Sequence, residues 1–350
     1  SLARFALTRD IEQRKRDHLI LAQNEALNFS ISAGFDRWRF IHNALPEINL
    51  DEIATRTTFL GKELQFPLLI SSMSGGVEES FNFNANLATA AESVGCALGL
   101  GSIRAALENE KVRDSFLIAR EKAPSTIIMA NLGVAQIMGS QSMDRVAAFC
   151  HDLKANALII HLNPLQEAFQ PEGDTQFKGA LNAIKTWVDE FPLPLIVKEV
   201  GQGLSIEVIQ KLKGAGVETI DIAGAGGSNW ISIERERLSE DQSILKQTAL
   251  EFANWGEPTA EVLENLETDL CVIASGGLKQ PLDLAKAIAL GAHMGGVAGA
   301  LLRQALTDDT EKLIEQLLVW KKTLEMAMFG VGVNKIDELI GNRSLLHKID

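Results

Sequence analysis

The chain contains no tyrosine and only three cysteines. Without tyrosine, no site can rest on a phenol. Cys96, Cys150 and Cys271 are far apart, form no CxxC pair, and each sits in an apolar stretch. That reads as buried reduced thiols, not as a redox or metal motif. It suits a reducing compartment, so a cytoplasmic protein is expected. Positive charge is also short: 33 Lys and Arg stand against 46 Asp and Glu, a formal net charge of -13. An acidic surface argues against nucleic-acid and anionic-membrane partners. It leaves room for a phosphorylated ligand in a locally basic pocket. No uncharged apolar run reaches ~18 residues, so no membrane span is expected. The opening SLARFALTRDIEQRKRDHL has no apolar h-region and is not expected to be a secretory signal. Low-complexity segments and long linkers are missing too.

What is present is a repeated unit. At 350 residues and 46% hydrophobic composition, the chain has ample material for a large core. A short apolar run ends in a small or polar cluster, and a helical stretch follows. The runs lie at 66–72, 95–100, 126–130, 157–160, 193–197, 219–222, 270–274 and 294–297. Amphipathic stretches such as 83–94, 143–154, 206–215 and 281–290 separate them, several ending at glycine. This alternation predicts parallel strands with right-handed crossovers. Eight units without a visible switch point predict an α/β fold of the TIM (β/α)8 barrel type. Residues 1–65 are expected as an N-terminal extension and substrate-binding arm, 66–302 as the barrel, and 303–350 as C-terminal helices, all in one structural domain. The stretch from Gly224 to Pro258 is long for a βα loop and is expected to form a lid or wall.

The catalytic face of such a barrel is built at the C-terminal strand ends. Polar residues cluster there. By strand alternation Lys198 shares a face with Ile196, and Glu199 with Val197. One charge therefore enters the barrel mouth and the other the helix layer. Lys198 is either half of a buried ion pair or a cation for an anionic ligand or reduced cofactor ring. Ser275-Gly276-Gly277 and Gly299-Ala300 close strands seven and eight, the usual phosphate site of the fold; Gly226-Gly227-Ser228 adds an N–H and a hydroxyl. The run His161-Leu162-Asn163-Pro164-Leu165-Gln166-Glu167 is the most unusual strand end. His161 is a hydrogen-bonded core residue or a site group. Glu167 is a solvated loop charge or a Mg²⁺ ligand beside phosphate oxygens. Arg14-Lys15-Arg16-Asp17-His18 is a solvated helix face or an arm carrying cations to a diphosphate, with Ser102 and Arg104 nearby.

With these residues in view, the chain resembles the type 2 isopentenyl diphosphate isomerases, flavin-dependent TIM-barrel enzymes. The resemblance runs from about Arg14 to about Arg303. The HLNPLQE run at 161–167 and the Arg14-Lys15 arm are its most specific elements. Met73-Ser74-Gly75-Gly76, Ala130-Asn131-Leu132-Gly133 and Trp255-Gly256-Glu257-Pro258 support it.

The resemblance implies FMN, Mg²⁺, and NADPH as reductant of the flavin. Ser72, Met73, Ser74, Ser102 and Asn131 would line the flavin, and Lys198 would face its N1/O2 edge. Ala223 and Ser228 would flank it. Gly276, Gly277 and Leu278 with Ala300 and Leu301 would hold its phosphate. Arg14, Lys15, Ser102 and Arg104 would bind the substrate diphosphate, with His161 and Asn163 beside them. Gln166 would touch the reacting carbons, with Lys198 and His161 as further catalytic candidates, and Glu167 would hold the metal. Serine replaces the expected threonine at Ser74 and Ser228, Ala223 replaces a frequent serine, and Ile103 replaces a glutamine near the diphosphate.

The implied reaction interconverts isopentenyl and dimethylallyl diphosphate by adding a proton at one carbon and removing one at another. The strand ends offer no obvious Cys–Glu or paired-carboxylate acid and base for it. A flavin oxidoreductase of the α-hydroxy-acid oxidase type is the first alternative, although it relies on tyrosines and an HGG-type histidine. A non-catalytic flavin or phosphate-binding barrel is the second. Long extensions add the expectation of a homo-oligomer, tetramer or octamer.

Overall fold

The apolar runs fold as expected into strands that close on one another, in a computed structural model that describes residues 13–73, 80–307 and 309–349. The strands are β1 (Leu68–Ile70), β2 (Ala97–Ser102), β3 (Ile128–Gly133), β4 (Ala157–Leu162), β5 (Leu195–Glu199), β6 (Thr219–Asp221), β7 (Cys271–Ala274) and β8 (Met294–Val297). Each pairs in parallel with the next, and β8 returns to β1 through Gly295↔Leu68, giving a closed barrel. This is a (β/α)8 barrel.

Strand alternation divides the core in two. Leu69, Ala97, Met129, Ala157, Ile159, Ile196, Ile273 and Met294 fill the barrel interior. Leu68, Leu98, Ile128, Leu158, Val197, Ile220 and Val272 face the surrounding helices. The hairpin Thr57–Phe59 and Lys62–Leu64 pairs antiparallel, and its Phe59 and Leu64 join the interior cluster. This part of the N-terminal extension therefore packs onto the barrel's own core. Beyond β8, the helix Thr310–Val331 buries Leu313, Leu317, Trp320, Leu324 and Met328 along one stripe. It packs against the helices Ser80–Val94 and Pro281–Leu290, completing the helical ring. The end of the chain returns to its beginning, where Leu346–Lys348 pairs antiparallel with Trp38–Phe40.

Several strands end later than their apolar runs predict. β3 continues through Asn131 to Gly133, and β5 starts at Leu195 and continues through Lys198 and Glu199. Pro192 and Pro194 precede β5, and a proline has no N–H to give the ladder. At the other end, the parallel ladder runs on through the polar residues, pairing His161 with Lys198 and Lys198 with Asp221. The polar side chains are thus fixed by sheet geometry, not by loops. No helix among the described residues is long and apolar enough to cross a membrane.

Ile159 sits in the interior layer directly below His161, at 1% exposure. Ile159→Ala is expected to cost roughly 2–5 kcal/mol, read as a lower denaturant midpoint.

Candidate active site

Two residues beyond the last apolar layer, each strand places one residue on the same inward face. These are Ser71, Gly99, Asn131, His161, Lys198, Asp221, Ser275 and Gly296. They form a polar layer over the apolar interior, with glycine in two places. Asn131 Nδ2 donates to Ser72 Oγ at 3.1 Å, and Asn131 Oδ1 meets His161 Nδ1 at 2.7 Å. Lys198 Nζ donates to the carbonyl of Glu199 at 2.6 Å. The Lys198–carboxylate ion pair weighed from the sequence is not made among the described residues. Glu199 points the other way, as alternation requires. Its Oε2 accepts from the N–H groups of Val200, Gly201, Gln202 and Gly203 at 2.6–3.1 Å. One carboxylate thus ties down the whole β5 loop that carries Val200 and Gly201 to the site.

Above the polar layer lies a cavity of about 520 Å³. Ser72, Met73, Lys198, Ala223, Ser228, Gly276, Gly277, Leu278 and Ala300 all line it, as does Trp230. Its glycine end is built for close approach. Gly276 and Gly277 hold φ of 93° and 76°, and a Cβ at Gly276 would run into the backbone of Gly224. Lys279 and Arg303 bring positive charge to the lining. Leu301 is fully buried in the helix-side core and donates its N–H to Ala298 O at 2.9 Å, so it adds no lining surface. Ser74 lies outside the described residues. Buried polar atoms without a partner, Ser71 Oγ and Asp221 Oδ2, belong to residues of the floor. A half-open volume, a polar floor with one cation, and a glycine-rich basic end fit a planar cofactor carrying a phosphate.

A smaller pocket of about 160 Å³ adjoins it, sharing Ser72, Met73, Lys198, Val200, His18 and Trp230. Arg14, Lys15, Ser102, Arg104, Asn131, His161, Asn163, Gln166 and Glu167 line this second space. The residues singled out from the sequence are thereby brought together from five strand ends and the N-terminal helix at 13–21. Ile103 is not among them: it is fully buried in the core, so its apolar side chain removes nothing from the pocket wall. Among the described residues, Glu167 is the single carboxylate of the lining. Its Oε1 accepts from Asn163 Nδ2 at 2.9 Å and its Oε2 from the Asp174 N–H at 2.7 Å.

The sequence reading missed the carboxylate that organises this pocket. Glu234 comes from the helix Trp230–Arg237, inside the long 224–258 stretch, and is fully buried. It receives Gln166 Nε2 at 3.1 Å, meets His18 Nε2 at 2.8 Å and receives Arg237 Nη1 at 2.6 Å. Gln170, oriented so that both its ends are satisfied, donates to Glu234 at 3.3 Å and accepts from Arg14 at 3.0 Å. Burial pushes Glu234 up, but His18 and Arg237 outweigh it and hold the carboxyl below its usual range. The Glu-Arg-Glu-Arg run reads as a solvated helix face. The i,i+4 spacing of Trp230 and Glu234 on one face was the available signal. The arm itself is stitched on by its backbone: Phe29 N–H donates to Gly227 O at 2.9 Å and Asn229 N–H to Leu27 O at 3.2 Å.

His161 is walled from bulk solvent although part of it faces the pocket. Burial, with help from the nearby Lys198 charge, lowers its pKa to about 3. The imidazole is therefore neutral at physiological pH and can both donate and accept. Unfolded, it would titrate at ~6.5. Between those values the unfolded chain binds more protons than the native one. Its contribution to stability is present above ~6.5 and is lost as pH falls toward 3, at up to about 1.4 kcal/mol per pH unit. An NMR titration is expected to show His161 unprotonated down to pH 4; a midpoint near 6 would refute this picture of its surroundings.

Comparison with known proteins agrees with this architecture. The profile of the FMN-dependent dehydrogenase family matches residues 165–348. Among solved structures, a soluble mutant of the membrane-associated (S)-mandelate dehydrogenase from Pseudomonas putida superposes with a TM-score of 0.64 at 18% identity, covering 95% of this chain and 99% of that one. A flavocytochrome b2 variant gives 0.66 at 18% identity, covering 97% and 86%. These share the fold. Sequence relatives are nearer: an isopentenyl-diphosphate delta-isomerase of Pseudescherichia vulneris is 46% identical over 93% of this chain and 94% of its own. Those of Chlorobium phaeovibrioides and of a Nostoc species are 42% identical over 97% and 98%, and 41% over 95% and 95%. With likeness of this extent along nearly the whole length, the chain belongs to the isopentenyl-diphosphate delta-isomerase family, built on the barrel of the FMN-dependent dehydrogenases.

Proposed function

We propose that the protein interconverts isopentenyl and dimethylallyl diphosphate, with FMN in the larger cavity, the substrate in the smaller pocket, Mg²⁺ at Glu167, and NADPH reducing the flavin. The observation that carries this reading is the pairing of the two spaces. One has a polar floor and a glycine-rich basic end; the other gathers Arg14, Lys15 and Arg104 around Glu167, and Lys198 borders both.

Arg14 and Arg104 are the bidentate partners for diphosphate oxygens, and Lys15 adds a point charge. Glu167 keeps lone pairs beyond its two hydrogen bonds, enough for a metal ion otherwise bound by diphosphate oxygens and water. Met73, Val200 and Trp230 supply apolar surface where the two spaces meet, which favours a dry site for a five-carbon chain. A Gln amide is a poor acid and base, so Gln166, fixed by Asn163 and Glu234, orients the reacting carbons and does not itself protonate them. The reduced flavin, when bound, supplies the proton-exchanging ring that the side chains lack. Lys198 is the preorganised cation for its N1/O2 edge, and neutral His161 with Asn131 holds the floor beneath.

A flavin oxidoreductase on the same barrel is less well supported. The β6 end reads Ala223-Gly224-Ala225-Gly226-Gly227 and carries no histidine. The N-terminal segment brings Arg14, Lys15 and His18 to the site and the C-terminal helix brings Gln316, which supports one structural domain. A cytoplasmic homo-oligomer, tetramer or octamer, completes the reading. The exposed Ile244, Leu250 and Trp255 support association.

An anaerobic assay with FMN, NADPH, Mg²⁺ and isopentenyl diphosphate should yield dimethylallyl diphosphate far in excess of NADPH consumed. Lys198→Ala should lower kcat on the order of 10²- to 10³-fold. Product equal to NADPH consumed, or none from a flavin that NADPH reduces, would overturn the isomerase reading. Glu167→Gln should raise the Mg²⁺ concentration for half-maximal rate on the order of tenfold or more. An unchanged Mg²⁺ dependence would remove the metal from Glu167.

A further inference from the structure

The polar layer contains one ionisable residue that neither the family resemblance nor the proposed chemistry uses. Asp221 ends β6, beside Lys198 on β5 in register, and is 1% exposed. Apart from Lys198 and the imidazole of His161, it is the only ionisable group among the eight inward strand-end positions. Ser275 Oγ donates to its Oδ1 at 2.6 Å, and the Ala223 N–H donates to the same oxygen at 3.3 Å. Its Oδ2 has no partner among the described residues.

A buried acid in this position could be neutral or charged. Burial drives its pKa up, while Lys198 and the Ser275 hydroxyl oppose that rise. Geometry favours the anion. A hydroxyl donor at 2.6 Å is typical of an ionised acceptor, and both contacts to Oδ1 are donors. The backbone agrees: Ala223, whose N–H reaches Asp221, is held in the left-handed region at φ 44°, a conformation a non-glycine residue keeps only when its surroundings fix it. Ala223 lines the larger cavity.

We propose that Asp221 is a positioning residue that sets the charge of the cofactor floor: as a carboxylate it balances Lys198 from the neighbouring strand, and through Ser275 and Ala223 it fixes the wall against which the ring lies. This rests on the FMN reading above. The floor then carries one positive and one negative charge, with His161 neutral. The consequence is a defined brake on the reduced ring. Lys198 favours an anionic reduced ring, and Asp221 limits how far.

The test is the two-electron midpoint potential of the bound flavin, measured by anaerobic dye-coupled titration on the holoprotein. Asp221→Asn removes the negative charge and keeps the shape. It is expected to shift binding about tenfold toward reduced over oxidised FMN, an upward potential shift of about 30 mV. In a Lys198→Met background the same substitution should still shift the potential upward, because the removed charge is the carboxylate's own. Ser275→Ala, which leaves the carboxylate in place but removes the hydroxyl dipole that screens it, should shift the potential in the opposite direction, downward, by a smaller amount. It serves as the deciding variant if Asp221→Asn does not fold. Folded variants with a wild-type potential would overturn the proposal and leave Asp221 a packing residue, even where the melting temperature falls. Wild-type protein that binds no FMN would instead overturn the cofactor reading, so the two failures are distinguishable.

Discussion

Everything at this site depends on the two-residue period of a closed parallel sheet. Once Leu69, Met129, Ile159, Ile196 and Ile273 are committed to the barrel interior, the next inward positions are no longer free. They must surface together, one per strand, stepped around the mouth by the register of the ladder, so that Asn131 lies level with Ile159 and Asp221 with Ile273. The polar layer is therefore a property of the apolar core below it. A single-residue slip of β5 would exchange Lys198 for Glu199, a change of sign at the centre of the floor. The core is what prevents that slip, because the same shift would drive Ile196 out of the interior.

The carboxylates show how differently one chemical group is used according to its neighbours. Glu199 collects four backbone N–H groups and turns a loop. Glu234 joins His18, Gln166 and Arg237 and holds the arm to the 224–258 wall. Glu167 keeps unused lone pairs toward a pocket lined with cations. Asp221 sits beside Lys198 without closing a salt bridge. Burying three of these carboxylates, Glu199, Glu234 and Asp221, is costly unless each is met by donors or cations, and here each is.

Much of this was legible in the sequence. Strand–helix alternation predicted the barrel, and alternation within β5 predicted one charge inward and one outward; the fold sends Lys198 inward and Glu199 outward. The strand ends pointed to the candidate site, because this fold builds its sites there. Two kinds of information were not legible. Strand ends were placed too early at β3, β4 and β5, because a polar residue in a ladder resembles the start of a loop. Long-range pairing was invisible: no local pattern links His18 to Glu234, 216 residues away, or reveals that Ile103 is buried. Asp221 was passed over for a related reason. An Ile-Asp-Ile run reads as an ordinary strand, and only the neighbouring strand gives the charge its meaning.

The backbone seam between residues 27–29 and 227–229 has a kinetic consequence. Contacts separated by some 200 residues carry a high loop-closure cost and form after the elements between them are in place. The arm is made before the barrel on the ribosome, yet its docking site does not exist until β6 and the wall after it have been synthesised. A barrel can thus be assembled while its reaction chamber is still open. The order of synthesis and the order of completion run in opposite directions along this chain.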